Sequence, residues 1–254
     1  MTRTVAVTGS ASGIGAAVRM RLARAGARVI GVDVRDADVL ADLADPAGRA
    51  AATAAVRRAS DGRLDGLVAC AGVGPHVASP TIVAVDYFGA QATLAGLRDC
   101  LAAARGAAVA VASNAAVMPN ADGPLVDACL RGDEPGARAI AAGLDGPRAY
   151  AGAKLALARW VRRHAPAAAW AGAGVRLNAV APGAVLTPLL QQGLDDASLG
   201  PAIRGFPIPT GGFGTPQQIA AAVAFLLDRD AAFCCGTVLF VDGGTDALLR
   251  PDTI

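Results

Sequence analysis

Between a short β-branched run, Thr4 to Val7, and a helical pattern from Ile14 to Ala25, the chain reads Thr8-Gly9-Ser10-Ala11-Ser12-Gly13-Ile14-Gly15. This strand, glycine turn and helix in immediate succession constrain the fold more than any other feature. Missing side chains at Gly9 and Gly13 let a backbone turn tightly and approach a pyrophosphate, and Gly15 lets the helix lie close on a sheet. The anion then sits on the free amides at the helix N-terminus, beside Ser12 and Ile14, where the helix dipole favours negative charge. Val18 and Leu22 share one helical face, and Gly26 is a natural stop.

The same alternation continues along the chain. Buried-strand signals recur at Arg28 to Val32, Leu64 to Cys70, Ala107 to Ala112, Val175 to Val180 and Thr237 to Val241, with helical stretches between them. Apolar strands separated by amphipathic helices predict an α/β protein: a doubly wound parallel sheet, or Rossmann fold, with helices on both faces. Ligands of such sheets bind beyond the carboxyl ends of the strands. No internal repeat or second domain is apparent, so residues 1–254 read as a single domain. Two stretches break the rhythm. Residues 118–148, rich in Pro, Gly and Asp, read as an insertion with a helix around Gly136 to Ala142. Residues 186–215 form a long Pro- and Gly-containing segment, of a length that is more often functional than idle. Its apolar set, Leu186, Leu189, Leu190, Ile203, Phe206 and Ile208, reads either as a lid that excludes water from the site or as plain packing.

Charge and cysteine usage exclude several classes. The 23 basic and 21 acidic side chains leave a formal charge of +2 without any block of one sign, so no nucleic-acid or anionic-membrane footprint is expected. The start of the chain lacks the pattern of a signal peptide, and no apolar run is long enough for a membrane span. Five scattered cysteines, Cys70, Cys100, Cys129, Cys234 and Cys235, without a C-x-x-C pair, argue for buried thiols in a reducing cytoplasm and against a disulfide framework or a metal site.

Two further features carry chemistry. Asp33 ends the second strand, where a carboxylate accepts hydrogen bonds from the ribose hydroxyls of an adenosine and repels a 2′-phosphate. That favours NAD over NADP, although Arg35 stands two residues on. Tyr150-Ala151-Gly152-Ala153-Lys154 places a phenol and an ammonium one helical turn apart on one face. A phenol exchanges protons poorly at neutrality, and a neighbouring cation is expected to move its pKa toward the working range. His76, in the loop after Leu64 to Cys70, reads as a substrate contact or an exposed loop histidine. His164 near a helix end reads as structural.

Taken in order, TGSASGIG, Asp33, Cys70-Ala71-Gly72 in place of an N-A-G motif, Ser113, YAGAK, NAVAPG and VDGG resemble the short-chain dehydrogenase/reductase family over essentially the whole chain. The resemblance implies hydride transfer between NAD and a carbonyl/alcohol pair. It implies Tyr150 as general acid/base with Lys154 as its partner, Pro182, Gly183 and Val185 at the nicotinamide end, and Thr187 near the carboxamide. Asn178 would bond to main chain around the site. Within the family, the segments GVDVRDADVLADL, LDGLVACAGVGP and AGVRLNAVAPGAVLTPLLQQGL look most like the bacterial hydroxysteroid dehydrogenases/carbonyl reductases. By that likeness Asp42 and Leu43 flank the adenine, and the insertion alters how subunits meet on the tyrosine-bearing helix of a homodimer or homotetramer.

Two departures stand out. The family reads Ser-Ser where this chain reads Ser113-Asn114, so either Ser113 takes the catalytic role or the Asn114 amide substitutes as hydrogen-bond donor. Asp86 replaces an asparagine of the family's proton relay. It either carries the relay through its main chain or pairs with Lys154 and disturbs the tyrosine. Three function classes follow: a dehydrogenase or ketone reductase for a bulky apolar substrate such as a hydroxysteroid, a tailoring enzyme for an imine or cyclic polyol, and a non-catalytic NAD sensor or scaffold.

Overall fold

Seven parallel strands form one sheet in the order β3-β2-β1-β4-β5-β6-β7. The structure is a computed structural model that describes residues 2–119, 121 and 123–253. The strands are β1 (Thr4–Thr8), β2 (Arg28–Asp33), β3 (Val39–Leu40), β4 (Gly66–Ala69), β5 (Ala107–Val111), β6 (Arg176–Pro182) and β7 (Val238–Val241). Two-residue β3, which pairs Val32 with Val39 and Asp33 with Leu40, is too short for any periodicity to announce it. The chain direction across the sheet reverses between β1 and β4, and such switch points open a crevice at the carboxyl ends of the strands.

Side-chain alternation explains why both faces are covered. Val5 and Val7 on β1 and Val68 on β4 point into one apolar cluster, where α1 (Gly13–Arg24) and α11 (Pro216–Leu227) contribute Val18, Leu22, Ile219, Val223 and Leu226. Ala6, Leu67 and Ala69 point the other way. There they meet α2 (Pro46–Ala59), α4 (Ala90–Gly96), α5 (Arg98–Ala104) and α8 (Gly146–His164), through Val56, Leu94, Leu101, Leu157 and Trp160. Leu67, Leu94, Leu101 and Leu157 are fully buried, each contributing about 1.5–3 kcal/mol of transfer free energy. Small alanines in both layers let helices sit close on the sheet.

The insertion is more structured than its composition suggests. It holds α6 (Pro124–Leu130) and α7 (Glu134–Ala142), the latter capped by the Asp133 carboxylate accepting from the Gly136 amide. Residues 120 and 122 lie outside the described residues. Helix α6 packs on α8, and α7 packs on α3 (Ser79–Val83). The approach of α6 is tight: a Cβ at Gly152 of α8 would come within 2.9 Å of Leu125 Cδ2. The insertion therefore covers much of the tyrosine-bearing helix.

The segment 186–215 is not a bare loop either. It carries α9 (Pro188–Asp195) and α10 (Leu199–Arg204), which pack on each other. Both of its ends are tied: the Leu186 amide donates to Gly214 O at 2.8 Å and the Gly214 amide to Ala184 O at 2.9 Å. A last helix, α12 (Thr245–Leu249), closes the described chain.

Candidate active site

A cavity of about 830 Å³ runs along the carboxyl ends of the strands. At one end lie the turn residues Gly9, Ser12, Gly13, Ile14 and Gly15, followed by Asp33, Asp42 and Leu43. Gly9 adopts φ +69° and Gly13 φ +52°. A Cβ on Gly9 would stand 2.8 Å from Ala71 Cα, so only glycine fits that turn. Ser12 precedes α1 with no side-chain cap on the first helical amides, which leaves this helix end fit for an anion. Thr8 Oγ1 accepts from the amides of Cys70 and Ala71, each at 3.0 Å, and so pins the Cys70-Ala71-Gly72 wall to the glycine turn. Nothing in the sequence pattern singled out this role of Thr8. The Asp33 carboxylate accepts from the amides of Ala11 (3.0 Å) and Val34 (2.8 Å), which fixes it at the end of β2. Arg35 also lines the cavity beside it.

At the middle of the cavity, Tyr150 and Lys154 face inward from α8, one turn apart, with Lys154 Nζ 5.5 Å from the centre of the tyrosine ring. Asp145 caps this helix through the Arg148 amide. Lys154 is buried; its ammonium donates to Val111 O at 3.2 Å and stands 3.4 Å from Asp86 Oδ2. Of the two readings of Asp86, the structure bears out pairing with the lysine. Asp86 lies in a π-helical turn, Ala84–Gly89, that joins α3 to α4; such turns often mark functional sites. Its other oxygen accepts from the Val73 amide at 2.8 Å, and the residue is wholly buried.

The electrostatics correct one expectation. Lys154 does pull the Tyr150 phenol down, but burial outweighs it and the Asp86 charge opposes it. Although Ser113 helps to lower it, the phenol ends above its ordinary value of 10. Tyr150 is thus held as the acid. Burial pushes the Lys154 ammonium down, but Asp86 and Tyr150 together outweigh that, and it stays charged. Burial likewise raises Asp86, against the pull of Lys154 and the Val73 amide.

Ser113 and Asn114 both line the cavity. Ser113 caps a short 3₁₀ turn, its Oγ accepting from the Ala115 amide at 3.1 Å, and its hydroxyl also acts on the Tyr150 phenol. Asn114 is buried, and its Nδ2 has no hydrogen-bond partner. A buried amide without a partner is rare and calls for an explanation. The far wall of the cavity is formed by Pro182, Gly183, Val185 and Thr187, and Thr187 Oγ1 caps α9 through the Leu190 amide.

Other sequence readings sort themselves by position. Leu189, Leu190, Ile203 and Phe206 line the cavity, as a lid requires, whereas Leu186 and Ile208 do not. His76 is exposed and is not part of the wall. His164 stacks on Trp160 at 4.3 Å and bonds its carbonyl, which is a packing role. Asn178 bonds main chain at Cys234 and Thr237, beneath β7 and away from the cavity. All five cysteines are free; Cys100 and Cys129 are buried, Cys70 and Cys234 are half-buried, and Cys235 is exposed because the turn before β7 lies at the surface. Burial pushes the Cys70 thiol, in the cavity wall, up to about 12, so it is unreactive. Among the described residues no cluster of metal ligands occurs, and no helix is long and apolar enough to cross a membrane.

Comparison with known proteins agrees with this geometry. A family profile described as enoyl-(acyl carrier protein) reductase matches residues 9–246. The chain is 42% identical to the 3-alpha-hydroxysteroid dehydrogenase/carbonyl reductase of Comamonas testosteroni, covering 97% of this chain and 98% of the other. It is 34% identical to the D-threitol dehydrogenase of Mycolicibacterium smegmatis, over 94% and 90% of the two chains. Among solved structures, the 3-alpha-hydroxysteroid dehydrogenase of Pseudomonas sp. B-0831 complexed with NADH superposes with a TM-score of 0.96 at 50% identity, covering 99% and 100% of the chains. With its doubly wound sheet, glycine turn and inward-facing tyrosine–lysine pair, this chain belongs to the short-chain dehydrogenase/reductase family of nicotinamide-dependent oxidoreductases.

Proposed function

We propose that the protein is an NAD-dependent dehydrogenase/reductase that interconverts a secondary alcohol and a ketone on a bulky apolar substrate of the hydroxysteroid kind. The carrying observation is a single cavity with two unlike ends. The glycine turn and Asp33 suit an adenine dinucleotide, while Met118, Leu189, Leu190, Ile203 and Phe206 offer an apolar wall beyond Tyr150. The likeness to two hydroxysteroid dehydrogenases supports the same substrate class.

When bound, the dinucleotide supplies the hydride. The chain's own residues do the rest. The free amides at the start of α1 hold the pyrophosphate, and Asp33 and the Asp42–Ala44 wall hold the adenosine half. Tyr150, protonated, donates its hydroxyl to the substrate oxygen and gives up the proton as that oxygen becomes an alcohol. Lys154 stabilises the phenolate that remains. Ser113 orients the phenol, and the unpartnered Asn114 amide offers a second donor to the same oxygen, where charge develops. The apolar wall of the segment 186–215 keeps water from the transfer path.

The substrate reading is checked by turnover of 3-ketosteroids and small cyclic ketones with NADH, and of hydroxysteroids and small polyols with NAD. Bulky ketones are expected to exceed small ones in kcat/KM; a preference for small polyols would move the assignment toward the activity of the D-threitol relative.

NAD preference rests on Asp33. Its carboxylate would face the 2′-phosphate of NADP, with a charge of about −1.5 to −2. Replacing Asp33 with Ala is expected to improve kcat/KM with NADPH by at least about tenfold while weakening NADH use, because Arg35 then meets the phosphate unopposed. An NADPH value unchanged by the substitution would show that Asp33 does not discriminate.

Because α6 packs on α8, with α7 behind it on α6 and α3, we further propose that copies associate through a face other than this helix, as a homodimer. Light scattering combined with a Trp or Glu scan of the exposed surface of α8 checks this; a tetramer abolished by changes there would refute it. Five free thiols and a nicotinamide cofactor fit a reducing cytoplasm.

A further inference from the structure

Among the described residues, the most heavily bonded buried charge is not in the catalytic centre. Arg49, on the first turns of α2, is only 6% exposed. Its Nε donates to Leu43 O at 2.7 Å, and one Nη donates to Ala44 O at 3.2 Å and Ala84 O at 2.9 Å. The guanidinium forms a forked pair with Glu134, at 2.6 Å and 2.8 Å, and lies 5.9 Å from the Phe88 ring centre. A guanidinium taken this far from water needs both a counter-charge and acceptors for its fixed fork of donors. Two of the carbonyl acceptors, Leu43 and Ala44, belong to the cavity wall and the third, Ala84, to the π-helical turn; the counter-charge comes from the first residue of α7, in the insertion.

Leu43 and Ala44, whose carbonyls Arg49 holds, line the cavity on the Asp33 side. Their turn is braced from the other side as well. Asp42 accepts from the Ala44 amide at 2.8 Å, and Asp45 caps α2 through the amides of Ala47 and Gly48. Arg138, an exposed neighbour one turn along α7, is 3.8 Å from Glu134 and adds little. Without the Glu134 carboxylate, Arg49 would be drawn out toward solvent and would release the two wall carbonyls.

We infer that the insertion positions the adenine-side wall of the cofactor cavity, with Glu134 acting through Arg49 on Leu43 and Ala44. This rests on the reading above, in which that wall faces the adenosine half of NAD. Glu134 is thus a positioning residue: it touches neither cofactor nor substrate, and it governs how tightly one half of the dinucleotide is held.

The test compares wild type with Glu134→Gln, using two reductants: NADH, and reduced nicotinamide mononucleotide, which lacks the adenosine half. The variant is expected to raise KM for NADH about five- to tenfold with kcat unchanged, a typical coupling between separated sites, while kcat/KM with the mononucleotide stays at the wild-type value. NADH kinetics unchanged in a folded variant would overturn the inference. So would equal losses with both reductants, since general loosening does not distinguish the adenosine half. If Glu134→Gln does not fold, Arg49→Met/Glu134→Leu removes both charges, a replacement that buried pairs often tolerate. The inference requires that this double variant keep the raised KM for NADH; a wild-type KM there would overturn it. Wild-type protein that binds no NADH by titration, yet turns over the mononucleotide, would overturn the adenine-wall reading together with the inference.

Discussion

Tyr150→Phe is expected to lower kcat for ketone reduction by about 10²–10⁴-fold, the usual contribution of a positioned general acid, with NADH affinity nearly unchanged. The phenol hydroxyl is the only part removed, and the ring still packs beside Lys154. The pH profile carries the sharper signature. Burial and the Asp86 charge hold the Tyr150 pKa above its ordinary value of 10, so the proton needed for reduction is in place throughout the neutral range. In wild type, kcat/KM for reduction should stay flat through neutrality and fall only on the alkaline side. Alcohol oxidation, which needs the phenolate, should rise with pH instead. In Tyr150→Phe both limbs should disappear. Residual activity within about twofold of wild type would remove Tyr150 from the mechanism.

Lys154→Met should damage the protein twice. It removes the charge that stabilises the phenolate, and it leaves the wholly buried Asp86 without its cation. Breaking a buried pair from one side costs about 3–5 kcal/mol, so denaturant unfolding should move by that amount near neutrality. The penalty depends on pH in a defined direction. Burial raises the folded pKa of Asp86 above 3.8, and loss of the cation raises it further. A group with a raised folded pKa is least harmful below its unfolded value and increasingly harmful as pH rises through the folded one. The variant should therefore recover relative stability in acid. Adding Asp86→Asn should return most of the stability at neutral pH but none of the catalysis. Equal stability of Lys154→Met and wild type at pH 7 would mean that the two groups do not share a charge. Asp86→Asn alone serves as a further control: with the opposing charge gone, the alkaline limb of reduction should shift to lower pH.

The pair also explains a conflict between local and tertiary reasoning. A lysine one turn from a tyrosine lowers the phenol's pKa in any helix that water can reach. In this protein the same lysine meets a carboxylate from the π-helical turn between α3 and α4, and the phenol is desolvated. The net direction reverses. Only the folded arrangement sets these opposing effects side by side.

What the chain order alone determined is whatever depends on neighbours within a turn or a strand. The glycine turn needs positive φ at Gly9 and Gly13, Asp33 follows from the end of a strand, and Tyr150 and Lys154 follow from the helical repeat. Alternating apolar strands and helices likewise dictated the doubly wound sheet. Tertiary structure decided everything that joins distant segments: β3, held by pairing rather than periodicity; α6, whose helix is stabilised by packing on α8; the Asp86–Lys154 pair; and Arg49 clasped by Glu134. Local rules act through backbone geometry, which a few residues specify. Burial and charge pairing depend on which segments the fold brings together across tens of residues, and no short window of sequence encodes that.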